Sequence, residues 1–451
     1  MTLQSDRPVL NDPGFRPMQV DNVPRERYFS QEFSDLERER LWRRVWQPAC
    51  RLEEIPKVGD YSEYTIVDQS YLVVRVSENE IKAYSNHCRH RGNELANGRG
   101  AFRTGEIVCS FHGWRWKLDG TNSNVYAPQG FTPACLDPER TRLAEVQVGT
   151  FMGMVWINPD LTAPSLEEHL GPVIAKWAPV RLGQMKTVWW RYMQVPANWK
   201  TMIEPFMEAY HVAQTHPELG SHLSVDKVTP EWAGNDVYEV VENGSGWQSM
   251  SPATINVPPP IDGISPADYI YNSMIGLADG IDSALLQQWQ VDILKNAYAS
   301  RGQRGDEFLG TYHQQMYAEA ERRGMPIPPL AEGAGSGYGF IFPNIVITAF
   351  YGNAFIQRVR PDGTDPEKVI TEWWAVSLPT PEHKPRKPKL EGPLEYEDWG
   401  FVVQQDLSNI EKLQRGVRSQ AMGDVYFSVK YEQLILNFHR AIESYLDPNR
   451  R

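Results

Sequence analysis

Polar and β-branched residues alternate through "YSEYTIVDQSYLVVRVSENEIKAYSNHC", with Glu-Asn at one break. Successive side chains of a strand point to opposite faces, so this period of two predicts a meander of short strands. The same texture runs on in "GEIVCSFHGWRWKLDG" and "FMGMVWINPD", and residues 40–160 read as one mostly β unit. Ahead of it, "ERYFSQEFSDLERERLWRRVW" sets Phe, Leu and Trp at helical spacing among charges, which predicts one or two amphipathic helices.

The pattern then changes. "DLTAPSLEEHLGP" reads as a linker followed by a capped helix, "TVWWRYMQVPANWK" as a strand and "TMIEPFMEAYHVAQT" as a helix. Residues 217–340 are rich in Gly, Pro and Ser, with helical pieces such as "DSALLQQWQVDILKNAYASR". Strands return at "GFIFPNIVITAFYGNAFIQRVRP" and "VITEWWAVSLPT". A polar, Pro-rich loop, "PEHKPRKPKLEGP", leads into long C-terminal helices. There is no internal repeat. The second unit is expected to be α+β, an antiparallel sheet with helices at its ends.

A chain of 451 residues can bury a large core and make two or three domain-sized units. Its formal charge of −12 argues against a nucleic-acid partner, which needs a basic face. No apolar run approaches the roughly 20 residues that cross a bilayer. The first residues, "MTLQSDRPVLNDPGFRPM", lack the basic-then-apolar pattern of a secretory signal, so a cytoplasmic protein is expected. Four cysteines are too few for a disulfide scaffold, and clustered ones point to metal or catalysis. Cys50 and Cys135 have no His or Cys nearby and are expected as buried, apolar-like side chains.

The other two cysteines carry chemistry. Cys88-x-His90 is followed, after 18 residues, by Cys109-x-x-His112. Two thiolates and two imidazoles can hold one metal, and a structural zinc is one reading. Zinc fingers usually pair Cys with Cys and His with His, whereas here each half brings one of each. A Rieske [2Fe–2S] centre puts two cysteines on one iron and two histidines on the other, which this pattern suits better. Gly92 and Gly113 are expected to let the backbone approach the sulfurs. His87 abuts the motif outside its spacing and reads as an exposed or hydrogen-bonding histidine.

A second constellation lies in "NWKTMIEPFMEAYHVAQTHP". Glu208 and His211, three apart, share a helix face. His211 and His216 are five apart, and five steps of about 100° put them roughly 140° apart on a straight helix. Pro217 relieves this, because the residue before a proline is pushed out of the α region. Two histidines and a carboxylate on one face of an octahedral iron make the triad of non-haem Fe(II) oxygenases. Glu208 is one available carboxylate, although better placed to bond the ring of His211. Asp406, in "FVVQQDLSNIEKLQRG", is the other.

The two constellations, in this order and separation, resemble the large (alpha) subunit of Rieske non-haem iron aromatic-ring-hydroxylating oxygenases. "EAYHVAQTHP" is similar to that family's acid-x-x-His-x-x-x-x-His segment, with Glu208 where Asp is commoner, and "QDLSNIEKLQ" to the segment that delivers the iron carboxylate. The resemblance makes Asp406 the third ligand beside His211 and His216, and Glu208 a bridging catalytic residue. One departure is Glu204-Pro205 where many members carry Glu-Asn.

The resemblance implies an all-β Rieske domain over 40–160 and a helix-grip-like catalytic domain built from 1–39 and 161–451. It implies a [2Fe–2S] cluster on Cys88, His90, Cys109 and His112, and mononuclear Fe(II) on the triad. It also implies electrons from NAD(P)H through a reductase or ferredoxin, O2 as oxidant, and a trimer in which His112 of one subunit meets Glu208 of the next, with or without a small β subunit. The implied reaction is cis-dihydroxylation of an aromatic or similar apolar substrate. A Rieske monooxygenase or oxidative O-demethylase would use the same metals, and an electron-transfer protein would lack the triad. Phe206, Met207, Phe350 and Phe401 are pocket candidates, and Arg358 and Arg360 stay open as partners for a substrate carboxylate.

Overall fold

The computed structural model describes residues 15–171, 173–208, 210–220, 239–242, 247–251, 264–301, 305–328, 337–384, 386–429 and 431–446. Two sheets organise it. The first has seven strands in the order Gln47–Arg51, Met154–Asn158, Glu145–Phe151, Ile81–Ser85, Gln69–Arg75, Asp60–Ile66, Arg99–Ala101. Every neighbouring pair is antiparallel. Strand Asp60–Ile66 shows the alternation: Ser62, Tyr64 and Ile66 are buried on one face, while Glu63 and Thr65 are more exposed and Tyr61 packs against the core under the small sheet. A small three-stranded sheet, Glu106–Val108, Arg115–Lys117 and Asn122–Asn124, packs Ile107 and Trp116 against Leu72, Val74 and Tyr84 of the larger one.

The second sheet has eight strands, ordered Glu239–Glu242, Trp247–Ser251, Gly337–Ile341, Ile345–Phe350, Asn353–Pro361, Val369–Ser377, Lys186–Val195, Leu390–Glu391. All pairs are antiparallel except the last, where Leu390–Glu391 runs parallel to Lys186–Val195. Helices Pro266–Gly280, Gln288–Arg301 and Gly305–Arg322 form a layer of their own. The periodicity pointed to the middle one. The first is announced by Ser265, whose hydroxyl accepts from the Asp268 N–H, and by Pro266 in the first turn. Helix Gln433–Leu446 buries Leu434, Ile435, Phe438, Ala441 and Ile442, the i, i+3, i+4 stripe of an amphipathic helix. The predicted capped helix is Leu166–Leu170, with Ser165 and Glu168 bonding each other's N–H groups.

The two sheets share one core. Trp42, Val155, Ile157, Trp199, Trp373 and Phe438 belong to a single buried cluster. Arg358 stitches the halves together. Its guanidinium pairs with Glu372 and donates to the carbonyls of Pro48 and Ala49 at 2.7 and 2.6 Å. Arg360 also reaches Glu372, and it donates to Thr65. Neither arginine is available to a substrate carboxylate; both are structural.

Two expectations change. "TMIEPFMEAYHVAQT" is not one helix: Trp199–Ile203 is α, Glu204–Met207 tightens to 3-10, Glu208 is extended, and Val212–Thr215 restarts the helix. Pro205 has no N–H to continue the ladder. Cys135 is half-exposed and accepts from the Thr132 hydroxyl, unlike Cys50, which is buried as expected. Among the described residues no helix is long and apolar enough to cross a membrane.

Candidate metal centres

The first centre sits where strand Ile81–Ser85 and strand Glu106–Val108 each run into a tight loop. The loops are copies. The Cys88 N–H donates to Asn93 O at 2.8 Å and the Gly92 N–H to Cys88 O at 3.0 Å; the Cys109 N–H donates to Trp114 O at 2.9 Å and the Gly113 N–H to Cys109 O at 3.0 Å. Gly92 and Gly113 both have positive φ, +77° and +71°, and a Cβ at either would meet nothing within 4 Å, so each glycine is required by backbone conformation and not by the close approach expected. The loops bring the His90 and His112 rings to 4.7 Å and bury both thiols.

The wall of this centre was not read from sequence. The His90 ring lies flat on Trp114 at 5.0 Å, and Phe131 meets it edge-on. The Asn93 amide reaches across to the Cys109 sulfur at 3.7 Å. "HGWRW" carries the only hint, a Trp two residues past the ligand. Burial, helped by the neighbouring His112, holds the His90 pKa below its usual value, so the ring is neutral, the form that binds metal. His90 Nδ1 is buried with no hydrogen-bond partner. Such an atom is costly unless a ligand takes it, and the donor set of two thiols and two imidazoles fits a [2Fe–2S] cluster. His87 lies outside, its Nδ1 3.1 Å from the Ser85 hydroxyl.

The second centre joins distant segments. His211 caps the short helix Val212–Thr215, and His216, just before Pro217, leaves the α region at φ −116°, ψ 70°. The departure swings the two rings to 5.3 Å. Helix Phe401–Val417 supplies buried Asp406 from its second turn. Asp406 Oδ1 lies 3.0 Å from His216 Nε2 and 3.5 Å from His211 Nε2. One ligand atom from each of the three falls within 4.8 Å of the others.

What locks this geometry lies behind the rings. His211 Nδ1 is 2.6 Å from Glu208 Oε1, and Glu208 Oε2 accepts the His211 backbone N–H at 3.0 Å. A carboxylate only accepts, so Nδ1 carries the proton and Nε2 faces Asp406. Glu208 thus achieves the expected contact from an extended backbone, and its second oxygen is already engaged within the chain. His216 Nδ1 sits 2.8 Å from Gln405 Oε1, while the Gln405 amide N–H donates to Glu218 at 2.6 Å. Glu218 therefore fixes which end of the amide faces the imidazole. Gln405 and Glu218 were missed. Each adjoins a ligand segment, but nothing in "QQDLSN" or "THPEL" marks it.

Electrostatics favour a cation here. Burial opposes charge on His211, yet Asp406 and Glu208, one at each nitrogen, outweigh it and raise the imidazole to about 10. Burial would raise Asp406, but the two histidines hold it below the carboxylate range. Asp406 Oδ1 makes no hydrogen bond of good geometry. A divalent metal replaces the proton held among these three groups, and two imidazoles with one carboxylate fit mononuclear iron. Of the pocket candidates, Met207 is fully buried in the main apolar core, and Phe206, Phe350 and Phe401 pack half-buried against the same core.

Comparison with known proteins agrees with the two kinds of cofactor that these residues fit. Residues 45–134 match the Rieske [2Fe-2S] domain, which removes the zinc alternative, and residues 182–448 match the ring hydroxylating alpha subunit (catalytic domain). The carnitine monooxygenase oxygenase subunit of Escherichia coli (strain K12) is 28% identical over 221 residues, 49% of this chain and 58% of that protein. The 2-aminobenzenesulfonate 2,3-dioxygenase subunit alpha of Alcaligenes sp is 31% identical over 189 residues, 41% of this chain and 47% of that one. The chain therefore spans about half the length of the curated relatives it matches. A quaternary ammonium Rieske monooxygenase in complex with L-carnitine shares the fold with a TM-score of 0.62 at 17% identity, covering 95% of this chain and 96% of that one. Naphthalene 1,2-dioxygenase with indole in its active site gives 0.60 at 19% identity, covering 95% and 94%. With a Rieske domain in front of a matched catalytic domain that fills more than half of its length, this chain belongs to the ring-hydroxylating oxygenase alpha subunits.

Proposed function

We propose that the chain is the terminal oxygenase component of a multicomponent Rieske oxygenase, and that it inserts one oxygen atom of O2 into a small organic substrate while the other leaves as water. The observation that carries the oxygenase reading is the triad, with both Nδ1 atoms anchored and both Nε2 atoms turned to Asp406. Relatives named as carnitine and glycine betaine monooxygenases favour one-atom insertion over the ring cis-dihydroxylation expected from sequence. Dihydroxylation is the second reading, supported by the terephthalate 1,2-dioxygenase and 2-aminobenzenesulfonate 2,3-dioxygenase subunits.

In this proposal residues 40–160 carry the cluster on Cys88, His90, Cys109 and His112, and residues 1–39 and 161–451 carry iron on His211, His216 and Asp406. When bound, the cluster supplies single electrons and the mononuclear iron binds and activates O2. The protein's part is positional. Glu208 and Gln405 keep the imidazoles in the ligating tautomer.

Electrons come from a reductase or ferredoxin fed by NAD(P)H. The chain works as a head-to-tail trimer, alone or with a small β subunit, with His112 of one subunit against Glu208 of the next. Exposed aromatics beside both centres support this arrangement: Phe111 next to His112 and Tyr210 next to His211 are 58% and 61% exposed. Turnover under labelled O2 with a reconstituted donor tests the reaction. One labelled atom in the product is expected, two would establish dihydroxylation, and product without label would refute the oxygenase reading.

A further inference from the structure

Helix Pro266–Gly280 touches both segments that supply His216 and Asp406, and it touches them with one face. Ser273, Gly276 and Gly280 stand at i, i+3 and i+7, within about 60° of one another around the helix axis. The Ser273 hydroxyl donates to the Leu219 carbonyl at 3.2 Å. A Cβ at Gly276 would stand 2.9 Å from Leu219 Cδ2 and 3.4 Å from the Glu218 carbonyl oxygen. This segment is tied to the ligand, because the Leu219 N–H donates to the His216 carbonyl at 3.0 Å. A Cβ at Gly280 would overlap Val402 Cγ2 and stand 3.0 Å from Phe401 Cζ, and one at Gly400 would overlap the Gly280 carbonyl, 2.7 Å from its carbon. Gly400 caps helix Phe401–Val417, and Val402 lies one turn before Asp406.

Backbone angles do not call for these glycines. None of the three has the positive φ that favours glycine, and Gly400, at φ −59° and ψ 153°, sits where any residue could. Glycine inside a helix costs stability relative to alanine. What Gly276 and Gly280 supply instead is room, so that the helix lies directly on the His216 segment at one point and on the start of the Asp406 helix a turn later. The same gap is spanned by hydrogen bonds, from Glu218 to the Gln405 amide and from Gln405 to His216. A close-packed contact of this kind transmits displacement, because added bulk forces neighbours to move.

We propose that helix Pro266–Gly280 is a spacer that sets the distance between His216 and Asp406, with Gly276, Gly280 and Gly400 as positioning residues of the metal site. A methyl group at Gly276 displaces the His216 segment, and one at Gly280 or Gly400 displaces the Asp406 helix; either moves His216 Nε2 and Asp406 Oδ1 off their 3.0 Å separation. The inference rests on the reading of the triad as an iron site. Two readouts test it: the His216–Asp406 separation in crystal structures of the metal-free variants, and iron affinity by competition with a chelator. Gly280→Ala should shift the separation and weaken iron binding on the order of tenfold, with the acid-labile sulfide of the cluster unchanged. Gly276→Ala should act in the same direction but less, because the flexible end of Leu219 yields first. Val402→Ala should restore Gly280→Ala, and Leu219→Ala should restore Gly276→Ala; rescue of Gly280→Ala by Leu219→Ala instead would overturn the proposal. Gly310→Ala, in helix Gly305–Arg322 where a Cβ meets nothing within 4 Å, should match wild type. A merely structural role would lower the melting temperature and leave the iron affinity of folded protein alone. Wild-type separation and affinity in folded Gly280→Ala therefore overturn the proposal, and should that variant not fold, the same result in Gly276→Ala overturns it. If wild type binds no mononuclear iron, the oxygenase reading fails, and the separation alone decides the spacer.

Discussion

The two metal centres are built in opposite ways. The cluster centre is local: each half is a strand end and a loop of a few residues, and the two loops repeat the same pair of backbone hydrogen bonds. The iron centre is assembled: His216 and the Gln405 that holds it are 189 residues apart, and the segment carrying both histidines changes conformation three times between Trp199 and His216. The local centre fixes its ligands by turn geometry. The assembled one fixes them by side chains that come from elsewhere in the fold, Glu208 for His211 and Gln405 with Glu218 for His216. A local site should therefore fail by losing its ligands, and an assembled site can fail one shell away from them.

Ligand removal is the strongest test of that contrast. Asp406→Ala should lose the mononuclear iron while the visible spectrum and acid-labile sulfide of the cluster stay intact. Cys109→Ala should do the reverse to the spectrum. Iron and sulfide analysis of both variants checks the independence of the centres, and loss of the cluster in Asp406→Ala would contradict it.

One shell out, Gln405→Leu removes the acceptor for His216 Nδ1 without touching a ligand. Iron affinity should fall roughly 10–100-fold, read by competition with a chelator. The cluster loops depend less on such positions: apart from the Asn93 amide on the Cys109 sulfur, the bonds that shape them run backbone to backbone. Affinity equal to wild type would mean that Pro217 and packing alone orient the ring.

Glu208→Gln should be milder for metal and severe for turnover. It keeps an acceptor for His211 Nδ1 but loses the charge, so both metals should remain and reduction of the cluster should be normal. Single-turnover kinetics should place the slow step after that reduction. Loss of the mononuclear iron would instead make Glu208 a ligand.

The smallest effect concerns stability. Buried Glu204 accepts from the Tyr28 hydroxyl and lies 2.9 Å from His439 Nε2, and burial above all raises its pKa to about 8. The folded state therefore holds a proton that the unfolded chain releases near pH 4.5. Folding stability should fall as pH rises from about 4.5 to 8, by an amount on the order of a few kcal/mol. Glu204→Gln, always neutral, should flatten this slope in thermal melts. An unchanged slope would show that Glu204 is ionised in the fold.

Sequence alone determined the cluster motif, because Cys, His and Gly at fixed short spacings are the site itself when the loop is local. It also determined the break at His216, because a proline restricts the residue before it whatever the surroundings. The alternating strands were legible for the same reason: side-chain period is a property of the strand. The sequence offered Asp406 as one of two candidate carboxylates and chose it only by resemblance, since an acid in the first turns of a helix is ordinary. It read a single helix through Glu208, gave no sign of Gln405 or Glu218, and hinted at Trp114 only by its place two residues past His112. It left Arg358 open as a substrate contact when the fold spends it on Glu372 and on the carbonyls of Pro48 and Ala49. Those were decisions of the tertiary structure. A hydrogen-bond partner, a burial or a wall is set by which segments the sheets bring together, and contacts between segments nearly two hundred residues apart leave no spacing in the sequence to read.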